Sequence, residues 1–317
     1  MSLYNSDSMV VSILEFLKVN DIEAASDMVK KGVLHFPTDN RFYILSATIA
    51  QANNYYMDAF ENLWLALITE PRSQLARNEL LHLLVSNYSN ELGTDKDFSL
   101  DSGERQTGIS LEQIRFDHRV RYMFASYWIR RRFGMEIRNK VGLDIFCGNG
   151  YGSRMVADMT GARMVGLDGS AESIDLAENV YGSHRVVFGH ALYPFEFNSD
   201  FFDFAISFES IEHVDDPKGL LEQIVVASKG PLAISFPDES GLPFDMFGHY
   251  FKHHVRHFRR EEIVSLLSSL GKSNIVAERG QNVYKIEGGE ITGLLQEKDM
   301  VLCSHANNIQ FRVMIVE

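Results

Sequence analysis

The sequence is short of the residues that would place it in several common classes. It has 2 cysteines, Cys147 and Cys303, in 317 residues. That excludes a disulfide framework, and without a Cys-x-x-Cys pair it excludes the usual thiolate metal sites. No apolar run approaches the ~20 residues needed to span a bilayer, so no membrane association is expected. Residues 1–20 carry Asp7 and Glu15 and lack a basic start followed by an apolar stretch, so no secretory signal is expected and a cytoplasmic location is. Positive charge is also scarce. The 30 Lys and Arg against 43 Asp and Glu leave a net charge of −13, which argues against broad nucleic-acid binding, because phosphate attraction needs a basic footprint.

What is present is ordinary for a globular protein: 45% hydrophobic and 23% charged residues, over a length that suggests roughly two domains. The basic residues are uneven. Arg115, Arg119, Arg121, Arg130, Arg131, Arg132, Arg138 and Lys140 face only Asp117 and Glu136 in their stretch, and a second basic, histidine-rich stretch runs from His249 to Arg260. Each reads either as a solvated face or as a positive rim for an anionic substrate.

Residues 8–90 show apolar residues at helical spacing, as in Val10, Ile13, Leu14 and Leu17. They also repeat. Asn20, Ala25 and Pro37 recur as Asn54, Ala59 and Pro71, each shifted by 34, with Val29 and Val33 matched by Leu63 and Leu67. A small residue permits a close helix crossing, and a proline cannot continue the second helix. The period resembles the tetratricopeptide repeat, over two units at about 7–40 and 41–74 and a lone helix at about 75–90. The resemblance implies a surface for a protein partner. Two repeats fall short of the three that stack independently, so docking is expected either on the rest of the chain or on another chain, the second of which would make an oligomer.

From residue 141 the pattern becomes alternating strands and helices, the signature of an α/β domain with a mainly parallel sheet. Strands are expected near 141–146, 163–168, 185–188, 202–207 and 231–236, with two more near 274–286 and 310–316. Helices are expected near 151–160, 171–181, 217–228 and 260–271. The first strand leads into Phe146-Cys147-Gly148-Asn149-Gly150. Glycine at such a turn lets a ligand approach the backbone, and the following helix offers its amides to an anionic group. The second strand ends on Asp168, where a carboxylate can accept both hydroxyls of a ribose.

In order and spacing these segments resemble the class I S-adenosylmethionine-dependent methyltransferases. The motifs are Leu143 to Ser153, Gly166 to Ser170, Phe188 to Pro194, Phe202 to Val214 and Pro231 to Pro237, and the likeness covers about residues 112–317. It implies a Rossmann-like fold: a seven-stranded, mostly parallel sheet with helices on both faces. It also implies S-adenosyl-L-methionine as cofactor. The backbone around Cys147, Gly148, Asn149 and Gly150 would hold its methionine end and Asp144 would organise the loop. Asp168, Gly169 and Ser170 would serve the ribose, His190 and Ala191 the adenine, and Phe208 and Glu209 the methionine and the acceptor. Phe146 stands where the family usually has its first glycine, which puts activity in question. The segment around Arg121 and Tyr122 resembles the cofactor-closing helix of glycan-associated methyltransferases, with Arg121 meeting the cofactor carboxylate.

Glu209, Glu212 and His213 follow the fourth strand. Either the acids cap the next helix, or with His254 they bind a divalent metal such as Mg2+ or Mn2+, as in ubiquinone-type O-methyltransferases and small-RNA 2′-O-methyltransferases. Without a metal, His213 or His254 would act as general base, beside Glu209. The expected organisation is a helical repeat domain at 1–92, a linker at 93–110 and a methyltransferase domain at 111–317. The expected activity is O-methylation of a small molecule or glycan hydroxyl. Alternatives are a protein or RNA-end methyltransferase using the helical repeats for recruitment, and a cofactor-binding scaffold without activity. A nicotinamide dehydrogenase shares the glycine turn and Asp168 but leaves the Glu209–His213 run unexplained.

Overall fold

The computed structural model describes residues 5–86, 108–198, 201–304 and 308–317. The chain forms two compact units, Met1–Ser86 and Asn87–Glu317. Of the expected linker, residues 93–107 lie outside the described residues.

The first unit is all helical: α1 Ser6–Lys18, α2 Ile22–His35, α3 Asn40–Ala52, α4 Tyr56–Thr69 and α5 Gln74–Leu84. The repeat seen in the sequence sets these bounds, because α3 begins and ends 34 residues after α1, α4 does the same after α2, and α5 begins 34 after α3. The helix caps follow the same period. The side chains of Asn5, Asp39 and Ser73 each accept a backbone amide at the start of α1, α3 and α5, satisfying donors that a helix leaves open. The recurring asparagines have a backbone cause: Asn20 and Asn54 close the first helix of each pair at φ of 58° and 61°, a left-handed state that asparagine tolerates better than most residues. Ala25 and Ala59 are fully buried at the crossings. Asn40 donates to Ser73 Oγ at 2.8 Å, tying one pair to the next helix.

The second unit holds β1 Val141–Ile145, β2 Arg163–Asp168, β3 Val186–His190, β4 Phe204–Phe208, β5 Leu232–Pro237, β6 Ile275–Gln281, β7 Tyr284–Glu287, β8 Glu290–Leu294 and β9 Phe311–Val316. Its helices are α6 Phe116–Phe133, α7 Tyr151–Thr160, α8 Ala171–Tyr181, α9 Pro217–Ala227, the single turn α10 Phe244–Phe247 and α11 Arg260–Ser269. Seven strands form one sheet in the order β3-β2-β1-β4-β5-β9-β6. β1 to β5 run parallel, and β9 lies antiparallel to both β5 and β6. Every residue of β1, β3, β4 and β5 is buried, as covered parallel strands must be, which is why they read as continuous apolar runs. The strand order reverses between β1 and β4, and at such a switch the loops leaving the carboxyl ends open a crevice.

The stretch at 274–286 is not the single strand expected. It ends at Gln281, and β7 pairs instead with β8, which the sequence reading omitted, in a separate hairpin. Gly288 and Gly289, at φ of 63° and 88°, supply the positive-φ turn that such a two-residue loop requires. β8 is largely exposed and contains Gly293, so its apolar alternation is too weak to mark a strand.

Candidate active site

The crevice begins at the end of β1. Phe146 has φ of 57°, a conformation that disfavours any residue with a Cβ. Its ring leaves the sheet and packs on Phe195 and Tyr193, at centroid distances of 5.6 and 6.4 Å. Gly148, at φ of 56°, has open space where a Cβ would stand, and its amide donates to Asp168 Oδ2 at 2.9 Å. The other Asp168 oxygen accepts the Ser170 amide at 2.8 Å. Asp168 therefore pins the glycine loop to the end of β2, and a carboxylate's remaining lone pairs can still accept hydroxyls. Gly150 is required on two counts: its φ is 82°, and a Cβ would run into the Phe188 ring on β3. Beside it, β2 and β3 pair Asp168 with His190. His190 Nε2 lies 3.1 Å from the Gly169 carbonyl and Ala191 donates to the Asp168 carbonyl at 3.0 Å. Among the described residues, two buried polar atoms here have no hydrogen-bond partner: Asn149 Oδ1 and His190 Nδ1.

Behind the loop is a buried polar cluster. Asp144 accepts from Ser153 Oγ at 2.6 Å and from the Tyr122 hydroxyl at 3.3 Å. Burial outweighs these donors, and the Asp144 carboxyl is pushed up to about 7. Gly152, at the start of α7, faces the Tyr122 ring so closely that a Cβ could not be added. Arg121, one position earlier on α6, is 1% exposed. It contacts Glu209 at 3.0 Å and Asp117 at 3.7 Å, donates Nε to Gln281 at 2.7 Å, and covers the Phe311 ring at 4.6 Å. It is thus neither the solvated arginine nor the open cation that the sequence allowed.

The residues expected on the acceptor side lie past β4. Glu209 has φ of 50° and accepts from Ser235 Oγ at 2.7 Å. Committed to Ser235 and Arg121, it stands outside the group expected to bind a metal. The other three members come together: Glu212, His213 and His254 each offer a ligand atom within 4.8 Å of the others. Glu212 is fully buried, and among the described residues neither of its carboxyl oxygens has a hydrogen-bond partner. Burial and then the charge of Glu209 raise its pKa well above the usual range. His254 is pushed down to about 2, by burial and then by His213, His257 and His253, so its imidazole is neutral throughout the physiological range. His213 Nδ1 lies 3.0 Å from the His253 carbonyl and His254 Nδ1 lies 3.0 Å from His257 Nε2. Sequence reasoning missed Ser235, Gln281 and His257. Each is recruited from a distant strand or loop, and only the spacing of His257 beside His254 gave a local hint.

The expected positive rim is partly paired with carboxylates. Arg115 pairs with Asp117, Arg119 with Glu297, Arg132 with Glu317, Lys140 with Asp203, Arg256 with Glu262 and Arg260 with Glu278. Acidic partners distant in sequence fold back onto both stretches.

Residues 143–231 match a family model described as a methyltransferase domain. Among curated proteins, the O-methyltransferase resE of Aspergillus sclerotiorum is 31% identical over 109 residues, covering 32% of this chain and 41% of that protein. The chain therefore spans about two-fifths of that relative's length. Among solved structures, phosphoethanolamine N-methyltransferase 2 of Haemonchus contortus with S-adenosyl-L-methionine is 25% identical at a TM-score of 0.43, over 50% of this chain and 38% of that one. Magnesium protoporphyrin IX methyltransferase of Synechocystis PCC 6803 with S-adenosylhomocysteine is 16% identical at a TM-score of 0.47, over 67% of this chain and 89% of that one.

Proposed function

We propose, from the premise that residues 143–231 are a methyltransferase domain, that this chain transfers a methyl group from S-adenosyl-L-methionine to a hydroxyl of a small molecule or glycan. One observation carries the reading. The glycine loop, Asp168 and His190 stand side by side at the carboxyl ends of three neighbouring parallel strands, beside the switch in strand order. The residues suit a nucleoside cofactor. Open space faces Gly148, and Asn149 Oδ1 and His190 Nδ1 hold unused hydrogen-bonding capacity.

The cofactor supplies a methyl group on a sulfonium, which needs in-line approach and a deprotonated acceptor. The chain's residues supply the rest. The backbone of Cys147, Gly148 and Gly150 holds the methionine end, with Phe208 beside it and Tyr122 and Arg121 behind. Asp168, Gly169 and Ser170 take the ribose, and His190 and Ala191 the adenine. Positioning then provides much of the rate. His213, the exposed member of the group with Glu212 and His254, receives the acceptor's proton. The same three would hold a divalent cation such as Mg2+ or Mn2+, which lowers the pKa of a bound hydroxyl. Unchanged turnover after EDTA, with no response to added Mg2+ or Mn2+, removes the metal from this account. The helix pairs of the first unit support a further role in binding a protein partner, because their 34-residue period builds a repeated surface.

Thermal stabilisation separates this reading from a dehydrogenase. A ligand at 100 times its Kd adds about 2.7 kcal/mol to the folded state. S-adenosylhomocysteine is expected to raise Tm and NAD to leave it unchanged; the reverse result would overturn the proposal.

A further inference from the structure

His257 is 3% exposed and lies on the segment between α10 and α11. Its Nδ1 stands 2.6 Å from the carbonyl oxygen of Leu242. A carbonyl can only accept, so the proton on that bond belongs to His257 Nδ1. The neutral ring then carries its lone pair on Nε2, which lies 3.0 Å from His254 Nδ1. That contact is satisfied only when His254 in turn carries its proton on Nδ1. The His254 lone pair is left on Nε2. The relay ends on a fixed point, since the Leu242 amide donates to the Asp238 carbonyl at 2.9 Å and the Leu242 side chain is fully buried.

Packing holds both rings in place. His254 stacks on Phe251 at 4.7 Å and meets His213 edge-on at 4.7 Å. His257 is edged by Phe244 at 5.1 Å and Phe251 at 5.3 Å. Protonating His257 at both nitrogens would break the relay; burial disfavours that state and outweighs the charges of Glu239 and Glu209, which favour it. The same logic governs His213, whose Nδ1 faces the His253 carbonyl at 3.0 Å. His254 therefore keeps its lone pair on Nε2, in a group that also contains His213 and the buried Glu212. A lone pair on His254 Nε2 is suited to a divalent cation or to the hydrogen of a hydroxyl.

We infer that His257 is a positioning residue: anchored by the Leu242 carbonyl, it fixes the tautomer of His254 and so presents the His254 Nε2 lone pair to the acceptor side of the site. What that lone pair serves rests on the methyltransferase reading above; the tautomer itself does not. Partners of this kind, which orient a ligating histidine through its other nitrogen, change metal affinity by 10- to 100-fold when removed.

The test is the ring 15N chemical shifts of the full-length protein labelled at histidine, at pH 7, with His254→Gln identifying the His254 signals. His254 is expected to show a protonated Nδ1 and an unprotonated Nε2. His257→Leu is expected to shift both toward the averaged values of exchanging tautomers. His257→Gln is expected to restore the wild-type pattern, since its amide can donate to Leu242 and accept from His254. A wild-type His254 protonated at Nε2, or one unmoved by His257→Leu, overturns the inference. Should His257→Leu fail to fold, the wild-type and His257→Gln spectra still decide. Calorimetry with S-adenosylhomocysteine on the wild type reads the methyltransferase proposal separately. Absent binding with the expected tautomer would defeat that proposal alone, and binding with Nε2 protonated would defeat this inference alone.

Discussion

At the scale of single residues, the site is built from groups whose ordinary preferences have been overruled by their neighbours. Asp144 shows this most clearly. Two donors favour its charged form, yet burial disfavours it more, and its pKa rises to about 7. In the unfolded chain it titrates near the usual carboxylate value of about 4. Between these values the folded protein binds the extra proton, so the Asp144 contribution is fully present below pH ~4 and is lost as pH rises to about 7. Denaturation curves measured across that window should show wild-type stability falling relative to Asp144→Asn, by at most about 4 kcal/mol. Parallel curves would contradict the account. If Asp144 also meets the cofactor's amino group, S-adenosylhomocysteine binding near neutral pH should release a proton, detectable as a buffer-dependent binding enthalpy.

Gly152 provides a second residue-scale prediction. A methyl group there collides with the Tyr122 ring, so Gly152→Ala must displace Tyr122 from Asp144 or move α7. A loss of ~1–3 kcal/mol is expected, and an unchanged Tm would show that the α6–α7 contact gives way without cost. The sequence revealed Gly148, Gly150 and Asp168 because their chemistry is local to a strand end. It did not reveal the collision at Gly152, since Tyr122 arrives from 30 residues away. Phe146 put activity in question for the same reason: only the fold brings Tyr193 and Phe195 to receive its ring.

At the scale of elements, α6 was the hardest to read. Its arginines suggest a solvated helix, yet Asp117, Arg121, Tyr122, Ala125, Ser126 and Ile129 form a buried face. The partners that make this tolerable, Glu209 and Gln281, come from the turn after β4 and the end of β6. Removing one member of a buried ion pair leaves the other uncompensated, at a cost of ~3–5 kcal/mol. Arg121→Leu is expected to lose that much stability in urea titration, and adding Glu209→Gln should recover part of it. A loss below ~1 kcal/mol, the range of exposed pairs, would mean that Arg121 is not the link between α6, β4 and β6. By contrast, β1 to β5 were legible because strands covered on both faces must be apolar throughout. The β7–β8 hairpin was announced only by Gly288-Gly289, since its exposed strands carry little apolar pattern.

At the scale of the whole molecule, an acidic chain pairs part of its basic stretches with its own carboxylates. Most of the cations at 115–140 and 249–260 with described partners meet carboxylates from elsewhere in the chain. The sequence showed where the cations cluster but not the partners that quench them, which is long-range information. The repeat in the first unit is the opposite case. Its period is written directly in Asn20 and Asn54, Ala25 and Ala59, and the helices take the same spacing. Among the described residues no helix is long and apolar enough to cross a membrane.

The central claim is that the pinned glycine loop and Asp168 form a cofactor site for methyl transfer. Calorimetric titration of the full chain with S-adenosylhomocysteine tests it most directly, with Asp168→Ala alongside. The account predicts one site per chain in the wild type, weakened at least ~10-fold, or about 1.4 kcal/mol, by Asp168→Ala. No binding by the folded wild type, or equal binding by both proteins, would contradict it.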